Sequence, residues 1–596
     1  MPETRDIINE IESRLQRGLI FDAYNMCKRA LKQDEDSLRI NQLFALILAK
    51  LGVTDQSLSI IQKLYNEGHS DPETSGILAR IHKDIHKASK NSDHAQQSRD
   101  IYLQSFNDTG EYYPGINAAS MSLVLGEIKK AKSIAKQVIK SIDKNNLDYW
   151  SLATLGEAFL ITEDFSKSND YYIQAIAQES EKKGNISSTF EQLLFLSNFI
   201  NIPEEIFNTL RPPAVVVFSG HMIDSSIREK PRFPDEIKDK VKAKIAKELD
   251  DLNAGIGYCS AACGADILFI EAMLERGAEV NVYLPFAIED FIETSIAFAG
   301  PDWIIRFHRI MLRVNVRYIT EESYLGNDDL FQLLGKVIMG LTQLTAQLLS
   351  SEAYFLGVLE DQDDIKIGGS ADLLKIWERK KHVRIINPIE LISEDDIIKK
   401  NIKNRVPSHI SSEIPFGVKR LLKCILFADI VGFSKMEEEH TPFYMFELLE
   451  TLSQNLKKLK QPEILNTWGD AIFAVFDEPK DCMEFAEKLN YTLLNTDWST
   501  RNLPSSINIR IALHTGPVFV GDDPITGKLN AYGTHINRTA RIEPVTVPGC
   551  IYCSEQFAAL LLVHSDDKYT YRYIGVLELP KGFGTQEIYQ INSQLT

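Results

Sequence analysis

Two aspartates in the last third of the chain stand where carboxylates could hold metal ions. Asp429 lies near the end of a strand-like run, residues 421–430, and Asp470 lies at a predicted turn between two further strand-like runs, 462–468 and 471–476. Carboxylate oxygens are the ligands that hard cations such as Mg²⁺ prefer, and such cations also bind substrate phosphates. A single aspartate at a turn is usually a turn former, so the pair needs support from other residues.

A second pair of polar residues supplies that support. Asn537 and Arg541 stand at positions i and i+4, so on a helix their side chains lie on one face. An arginine there can neutralise charge on a pentavalent phosphorus, and an asparagine can orient a ribose. His514 and His535 lie nearby in the sequence, and without a partner motif we interpret both as packing or phosphate-proximal residues rather than bases.

Together these motifs resemble the catalytic domain of class III nucleotidyl cyclases over nearly all of residues 420–592. The run Phe427–Ser434 resembles the family's first metal motif, Gly469-Asp470 the second, and Asn537-x-x-x-Arg541 the pair that acts at the transition state. The segment Leu579–Gly582 also fits the family's usual tail. The resemblance implies an α+β fold with a ferredoxin-like βαββαβ core.

The resemblance also implies a mechanism and a role for each site residue. The ribose 3′-hydroxyl of a nucleoside triphosphate attacks the α-phosphorus, and pyrophosphate leaves, with two Mg²⁺ or Mn²⁺ ions in each active site. The backbone amides at the start of the helix after the first metal motif would cradle phosphate oxygens. The implied metal residues are Asp429, Ile430 and Asp470, and the implied substrate residues are Gly432, Phe433, Ser434 and Lys581.

The family's sites are built by two domains that pair head to tail. Each site takes its metal aspartates from one domain and its Asn/Arg pair from the other. This chain has both sets, so the resemblance implies a homodimer with two complete sites.

The positions that usually select the base are unusual in this chain. Adenylate cyclases carry lysine at the position of Asn466 and aspartate or threonine at that of Asn530, whereas guanylate cyclases tend to have glutamate and cysteine. An asparagine presents both a donor and an acceptor, so it can face adenine but also a pyrimidine. ATP is the first expectation, and CTP or UTP, as in cyclases of bacterial anti-phage signalling, is the alternative. A further alternative is an inactive cyclase-fold scaffold, against which the intact metal and transition-state residues argue.

Residues 211–400 are predicted to form an α/β domain with a Rossmann-like parallel sheet. Ala214–Phe218 is a continuous β-branched run, typical of a strand buried on both faces, and Gly255–Tyr258 and Val280–Pro285 supply further strands. The loop Gly257–Asp266 resembles that of the SLOG superfamily of nucleotide-sensing domains. This resemblance implies a small nucleotide-like ligand, and the alternative is a scaffold whose glycines merely permit tight turns.

Residues 1–210 read as helices only. Ile116–Ile139 and Leu152–Ile176 repeat a similar apolar rhythm, and an earlier pair, Phe21–Leu31 with Leu43–Tyr65, fits more loosely. Leu155-Gly156-x-x-Phe159 resembles the tetratricopeptide-repeat signature, which implies an all-α solenoid that binds a protein partner or organises a dimer. A generic helical domain is the alternative.

Length and composition set the outer bounds. A chain of 596 residues is long enough for three or four domains, here predicted at 1–210, 211–400 and 419–596, with a linker at 401–418. The net charge of −18 argues against binding of nucleic acid polymers, and no apolar run suits a membrane span. The N-terminus lacks an apolar signal core, and seven cysteines are too sparse for a disulfide framework, so a cytoplasmic location is expected. The two N-terminal domains are expected to regulate the cyclase.

Overall fold

The chain divides into two compact units in a computed structural model. One unit is formed by Met1–Pro212 with Gln347–Ser351, and the other by Pro213–Ala346 with Glu352–Thr596. Within the described ranges, no helix is both long enough and apolar enough to cross a membrane. The structure describes residues 2–16, 20–50, 53–178, 183–225, 228, 230–326, 329–360, 370–377, 382–393, 419–433, 436–565 and 568–593.

The first unit is helical, and most of its helices contact the next helix along the chain. Gly156 shows why the predicted repeat signature needs a glycine, since a Cβ there would lie 2.6 Å from the ring of Tyr172 on the next helix. The helices are α1 (Pro2–Gln16), α2 (Ile20–Leu31), α3 (Leu38–Lys50), α4 (Thr54–Asn66), α5 (Pro72–Ser89), α6 (Ser92–Thr109), α7 (Tyr112–Val124), α8 (Ile128–Ser141), α9 (Tyr149–Ile161), α10 (Phe165–Gln178), α11 (Lys183–Leu196) and α12 (Glu204–Leu210).

The helical pairs match the sequence prediction in its later part and differ in its earlier part. The stretches 116–139 and 152–176 each contain two helices, α7 with α8 and α9 with α10. The earlier predicted pair consists of the stretches 21–31 and 43–65, and in the structure the second of these spans two helices, α3 and α4. The helix break near residue 53 was missed because the apolar pattern continues across it, and Val53 N bonds back to Leu48 O at 2.8 Å.

The second unit begins with a parallel sheet, as predicted. Its strands lie in the order β4-β3-β2-β1-β5-β6, and every described pairing is parallel. The central strand β1 is buried along its β-branched run, since β2 and β5 flank it. The elements are β1 (Ala214–Gly220), α13 (Lys238–Asp251), β2 (Ala254–Cys259), α14 (Ala265–Glu275), β3 (Glu279–Leu284), α15 (Ile288–Ser295), α16 (Pro301–Met311), β4 (Asn315–Tyr318), α17 (Asp329–Leu348), β5 (Ala353–Val358), α18 (Ser370–Trp377) and β6 (Val383–Ile386).

Two glycines let the loops after β1 and β2 approach each other closely. A Cβ on Gly220 would lie 2.4 Å from the Ala265 Cβ, and Gly264 has φ +101° and faces the backbone of His221 and Ile223. Ala265 N donates to His221 O at 3.1 Å across this junction. Chain packing therefore accounts for both glycines, and the nucleotide-like ligand of this region stays a prediction.

The last region is a mixed sheet, antiparallel except for the parallel pair of β10 with β12, and it contains the predicted βαββαβ core. The strand order is β13-β14-β12-β10-β7-β9-β8, with β11 paired to β10, so the core strands lie in the order β10-β7-β9-β8. The elements are β7 (Lys419–Val431), α19 (Thr441–Phe443), a π-helical turn (Tyr444–Leu449), α20 (Glu450–Leu456), β8 (Ile464–Trp468), β9 (Ala471–Phe476), α21 (Pro479–Asn495), β10 (Asn508–Asp522), β11 (Leu529–Tyr532), α22 (Thr534–Ile542), β12 (Ile551–Ser554), α23 (Glu555–His564), β13 (Tyr569–Glu578) and β14 (Thr585–Ser593).

The two α/β regions of the second unit share a polar junction. Arg317 of β4 bonds to Glu555 at 3.0 Å and forms an ion pair with Glu587 at 2.8 Å, and the Tyr283 hydroxyl donates to Glu555 at 3.2 Å. The predicted order of helical, parallel α/β and α+β regions is confirmed. The predicted domain boundaries stay predictions, and the predicted linker 401–418 lies outside the described residues.

Candidate functional site

Strand pairing brings the two predicted metal aspartates together. Asp429 of β7 pairs with Ala471 of β9 on one side and with Arg510 of β10 on the other. Asp470 directly precedes Ala471, in the tight turn between β8 and β9. Ile430 N donates to Asp470 O at 3.1 Å, so the main chain itself ties the two aspartates' segments together.

An arginine and a third acidic residue complete this end of the sheet. Arg510 Nη2 lies 2.5 Å from Asp429 Oδ2, and its Nε lies 2.8 Å from Glu543 Oε1. Burial raises the pKa of Glu543 to about 7; the Arg510 guanidinium opposes this shift, and the charges of Asp429 and Asp470 add to it. Two acidic side chains, Asp429 and Glu543, thus contact one guanidinium, and the charge of Asp470 lies close enough to act on Glu543.

This arrangement fits a divalent cation. The donors are carboxylate oxygens, the ligand type of Mg²⁺ and Mn²⁺. Asp429 and Asp470 come from neighbouring strand ends, and both are partly exposed to solvent. Burial is the main cause of the raised pKa of Glu543, and the charges of Asp429 and Asp470 add to it. The residues predicted to hold metal, Asp429, Ile430 and Asp470, therefore form one group.

The predicted phosphate loop starts next to this group. Gly432 has φ +101°, a conformation that glycine adopts without strain. The ring of Phe433 lies 4.6 Å from that of Tyr444, whose hydroxyl donates to Gly469 O at 3.0 Å in the turn before Asp470. Gly432 and Phe433 are thus next to the aspartates, whereas Ser434 lies outside the described residues.

The helix α22 carries the predicted transition-state pair, and this pair lies on a different side of the helix axis from Glu543. Its last turn runs into Glu543, which has helical φ and ψ and faces Arg510. At about 100° per residue, the directions of Arg541 and Asn537 around the helix axis differ from that of Glu543 by about 160° and about 120°. Asn537 is exposed, and Arg541 Nε is buried without a hydrogen-bond partner in the described part of the chain. The chain's own Asn/Arg pair therefore faces away from its own aspartates.

The two histidines near the site are packing groups, in agreement with their interpretation from the sequence. Both are buried and stacked with ring centroids 5.1 Å apart, and His514 Nε2 lies 2.8 Å from His535 Nδ1. Burial lowers the pKa of both, that of His535 to about 3, so both rings are neutral at physiological pH. Gly516 makes room for them, because a Cβ there would lie 2.2 Å from His535 Nδ1.

The two candidate base-selecting residues lie on different faces of their strands. Asn466 pairs with Phe473, so its side chain lies on the same face as that ring, which is buried. Asn530 shares a face with Tyr532, whose hydroxyl it reaches at 3.3 Å, while the intervening Ala531 is buried. Their strands β8 and β11 contact each other, but no described hydrogen bond joins the two asparagines.

The predicted triphosphate lysine lies in the loop between β13 and β14. Lys581 is exposed and has a left-handed backbone with φ +62°. Leu579 and Phe583, on either side of it, pack in one cluster with Ile542 at the end of α22. The structure therefore groups Lys581 with the helix that carries Asn537 and Arg541, not with the aspartates.

Sequence reasoning missed two residues of the site, Arg510 and Glu543. Neither belongs to a recognised motif, so their types alone carried no signal. The signal for Arg510 would have been the strand register, because a β10 residue opposite Asp429 must place its side chain on the same face.

Three family models match parts of this chain. Residues 422–593 match the family model "Adenylate and Guanylate cyclase catalytic domain". In the helical unit, residues 21–122 match "Tetratricopeptide Repeats-Sensor" and residues 115–212 match "AimR transcriptional regulator-like".

Relatives include both guanylate and adenylate cyclases. The chain is 26% identical over 190 residues to Guanylate cyclase 2G of Rattus norvegicus, covering 29% of this chain and 17% of that protein. It is 28% identical over 170 residues to Adenylate cyclase type 9 of Xenopus laevis, covering 26% of this chain and 12% of that protein. The chain thus spans less than a fifth of the length of these curated relatives.

Similar solved structures are also cyclase domains. The guanylate cyclase domain of RhGC from Catenaria anguillulae, in complex with GTP, matches at 22% identity and TM-score 0.25, covering 29% of this chain and 96% of that one. The adenylyl cyclase CyaB from P. aeruginosa matches at 18% identity and TM-score 0.26, covering 30% and 97%. From the family models, residues 422–593 are a domain of the adenylate and guanylate cyclase catalytic family, joined in this chain to a tetratricopeptide-repeat sensor region.

Proposed function

We propose that this protein is a nucleotidyl cyclase that converts a nucleoside triphosphate, ATP first among them, into the 3′,5′-cyclic monophosphate and pyrophosphate. The observation that carries the proposal is the group of charged side chains at the end of β7. Asp429 and Asp470 stand at neighbouring strand ends, and Arg510 contacts both Asp429 and Glu543. The match of residues 422–593 to the cyclase family model supports it.

The chain's own residues have distinct tasks in this reaction. The Arg510 guanidinium can exchange part of its contact with Asp429 for a phosphate oxygen, since both are anionic acceptors. The backbone after Gly432 can donate to phosphate oxygens. Asp429, Ile430 and Asp470 would hold Mg²⁺ or Mn²⁺, which when bound lowers the pKa of the ribose 3′-hydroxyl and offsets phosphate charge.

The two halves of the site would come from two copies of the chain. Asn537 and Arg541 point away from Glu543 and hence from the aspartates of their own chain, and Arg541 Nε has no described partner. A head-to-tail homodimer would bring the Asn/Arg face and Lys581 of one copy to the aspartates of the other. Arg541 would then neutralise charge at the α-phosphorus, and Asn537 would orient the ribose.

The base remains the open part of the proposal, with ATP favoured over CTP or UTP. Asn466 and Asn530 are neutral amides, each able to donate and to accept. The relatives divide between guanylate and adenylate cyclases by name, so they do not favour one purine. We further propose that the sensor region and the parallel-sheet region regulate this activity.

The test is a four-way assay with identification of the products by mass. Purified full-length protein receives ATP, GTP, CTP or UTP with Mn²⁺ or Mg²⁺. Cyclic AMP as the main product supports the proposal in full. A cyclic pyrimidine nucleotide as the main product would show that CTP or UTP, and not ATP, is the substrate. Because regulation can silence the enzyme, the assay is repeated with lysate-derived small molecules added. Absence of every cyclic product and of pyrophosphate under all these conditions would support an inactive scaffold instead.

A further inference from the structure

The helical unit contains an interior cluster of charged side chains that the cyclase site does not use. Helices α3, α5, α7 and α9 contact one another in turn along the unit, although they are not consecutive in the chain. Polar side chains of α3 and α5 reach across to α7 and α11. The basic residues of this interior cluster are here called the basic cluster, and they are Lys50, Arg80, Lys83 and Lys87.

Lys83 is the most buried member of the basic cluster. It is only 8% exposed, and its Nζ donates to Asn117 Oδ1 and to Gln192 Oε1, each at 3.2 Å. Both acceptors are neutral, and among the described residues no carboxylate forms a salt bridge with this lysine. A buried cation with only neutral partners is costly, since burial removes its hydration without supplying a counter-charge. Burial accordingly lowers the pKa of Lys83 to about 7, and Lys87 adds to the shift.

Lys50 also has a neutral partner, and Arg80 has a buried nitrogen without a hydrogen bond among the described residues. Lys50 Nζ donates to the neutral hydroxyl of Ser188 at 2.8 Å, and burial, with the nearby charge of Arg80, lowers its pKa to about 8. Arg80 Nε is buried and has no hydrogen-bond partner among the described residues. The Asp84 carboxylate lies 3.7 Å from this nitrogen, beyond hydrogen-bond distance.

Two of the three acidic residues near the basic cluster, Glu157 and Glu191, are hydrogen-bonded to other groups. Glu157 Oε1 accepts from Ser120 at 2.5 Å and from Gln192 at 2.8 Å. Glu191 accepts from Ser350 at 3.0 Å. Asp84 makes only long contacts, with Arg80 at 3.7 Å and with Lys87 at 4.0 Å. None of them forms a close ion pair with the basic cluster.

We propose that the basic cluster binds the phosphate group of a small molecule. The lysine and arginine donors of the cluster come from two helices, so they approach a ligand from different directions. A phosphate offers acceptor oxygens in several directions, whereas a carboxylate has only two acceptor oxygens, which lie in one plane. A small ligand has access, because the side chains of Arg80 and Asp84 each keep 22% of their surface exposed and that of Lys87 keeps 31%. This site lies wholly within the helical unit and does not depend on the proposed cyclase activity.

Hydrogen–deuterium exchange on the full-length chain tests the proposal. Inorganic phosphate is titrated at constant ionic strength, and exchange is followed in peptides that cover α5 and α7. We expect phosphate to slow exchange there, and we expect Lys83→Met to weaken this effect at least tenfold. Lys136→Met, on the exposed side of α8, is the matched control and should leave the titration unchanged.

Three outcomes would overturn the proposal. They are the absence of protection at α5 and α7, protection that survives Lys83→Met, and equal protection by malonate, which would identify a carboxylate site. Circular dichroism checks that the variant is folded, and Lys50→Met repeats the test if Lys83→Met is not. Peptides of the cyclase region report phosphate binding there separately, so an inactive cyclase would not affect the result.

Discussion

The cyclase site and the basic cluster are both groups of charged side chains, but their excess charge is opposite. At the end of β7, the carboxyl groups of Asp429 and Glu543 share one guanidinium with Asp470 nearby, and burial raises the pKa of Glu543 to about 7. In the helical unit, Lys50 and Lys83 have neutral partners, and their pKa values are lowered. The acidic group thus has room for a further cation, and the basic cluster has room for an anion. We infer from this comparison that each incompletely compensated group of charges indicates a binding site for a ligand of the opposite charge.

The first and largest effect should come from removing a carboxylate at the acidic site. We expect Asp470→Asn to lower kcat by about 1000-fold or more, because a metal-holding carboxylate supports several kcal/mol of transition-state stabilisation. Pyrophosphate release with Mn²⁺ measures it. Asp481→Asn, at the first turn of α21, is the matched control and should keep wild-type activity. Activity retained in Asp470→Asn would remove the acidic site from the comparison.

Mixing two inactive variants tests whether the acidic site is completed by a second copy. Equal amounts of Asp470→Asn and Arg541→Ala, unfolded and refolded together or co-expressed, should recover roughly a quarter of wild-type activity, since half of the dimers are mixed and each has one intact site. Two aspartate variants mixed together should recover none. If the first mixture is also inactive, the head-to-tail arrangement is wrong.

Arg510 is expected to matter less than the aspartates and to act on the substrate's phosphates. Arg510→Met should lower kcat/KM by roughly 10- to 100-fold, because one charge-assisted contact is lost. Steady-state kinetics at saturating Mn²⁺ measures the change. The control Arg501→Met removes another exposed arginine–carboxylate pair, that with Glu447 at 3.2 Å, and should have little effect. Equal effects of the two substitutions would mean that Arg510 is only structural.

The smallest effect concerns stability at the basic cluster. Lys83 has a folded-state pKa of about 7 and a usual value of 10.5, so the unfolded chain binds more protons between these values. Its charge therefore destabilises the fold fully below pH 7, and the free energy of unfolding rises between pH 7 and 10 by up to ~1.4 kcal/mol per pH unit. Lys83→Met should remove the penalty and raise Tm in phosphate-free buffer.

The advantage of the Met variant should shrink as pH rises towards 10, since the folded-state lysine is neutral above pH 7 and the cost of removing its proton on folding falls as the pH approaches the usual pKa of 10.5. Thermal unfolding of both proteins across this range measures the difference, and the neighbouring charges of Arg80, Asp84, Lys87 and Glu157 are common to both. A Tm difference that does not change with pH would show that Lys83 is adequately compensated in the fold.

The sequence was most informative where chemistry depends on neighbours in the chain. The motif around Asp429, the turn at Asp470 and the i,i+4 pair of Asn537 and Arg541 are local patterns, and the cyclase region they indicated is confirmed. Arg510 was not predicted, because its place beside Asp429 depends on the register of two strands that are far apart in sequence. The roles of the individual site residues stay predictions.

The sequence by itself determined the order of the helical and parallel α/β regions, because apolar periodicity is local and each period requires one type of element. The α+β region followed from the resemblance of its motifs to the cyclase family. The sequence also determined the types of the cyclase motif residues. Only the tertiary structure decided that Glu543 and Arg510 share the aspartates' site, and that Lys83 is buried against neutral amides. The physical reason is that charge compensation depends on which side chains meet in space, and helix and strand packing bring together residues that no local pattern relates.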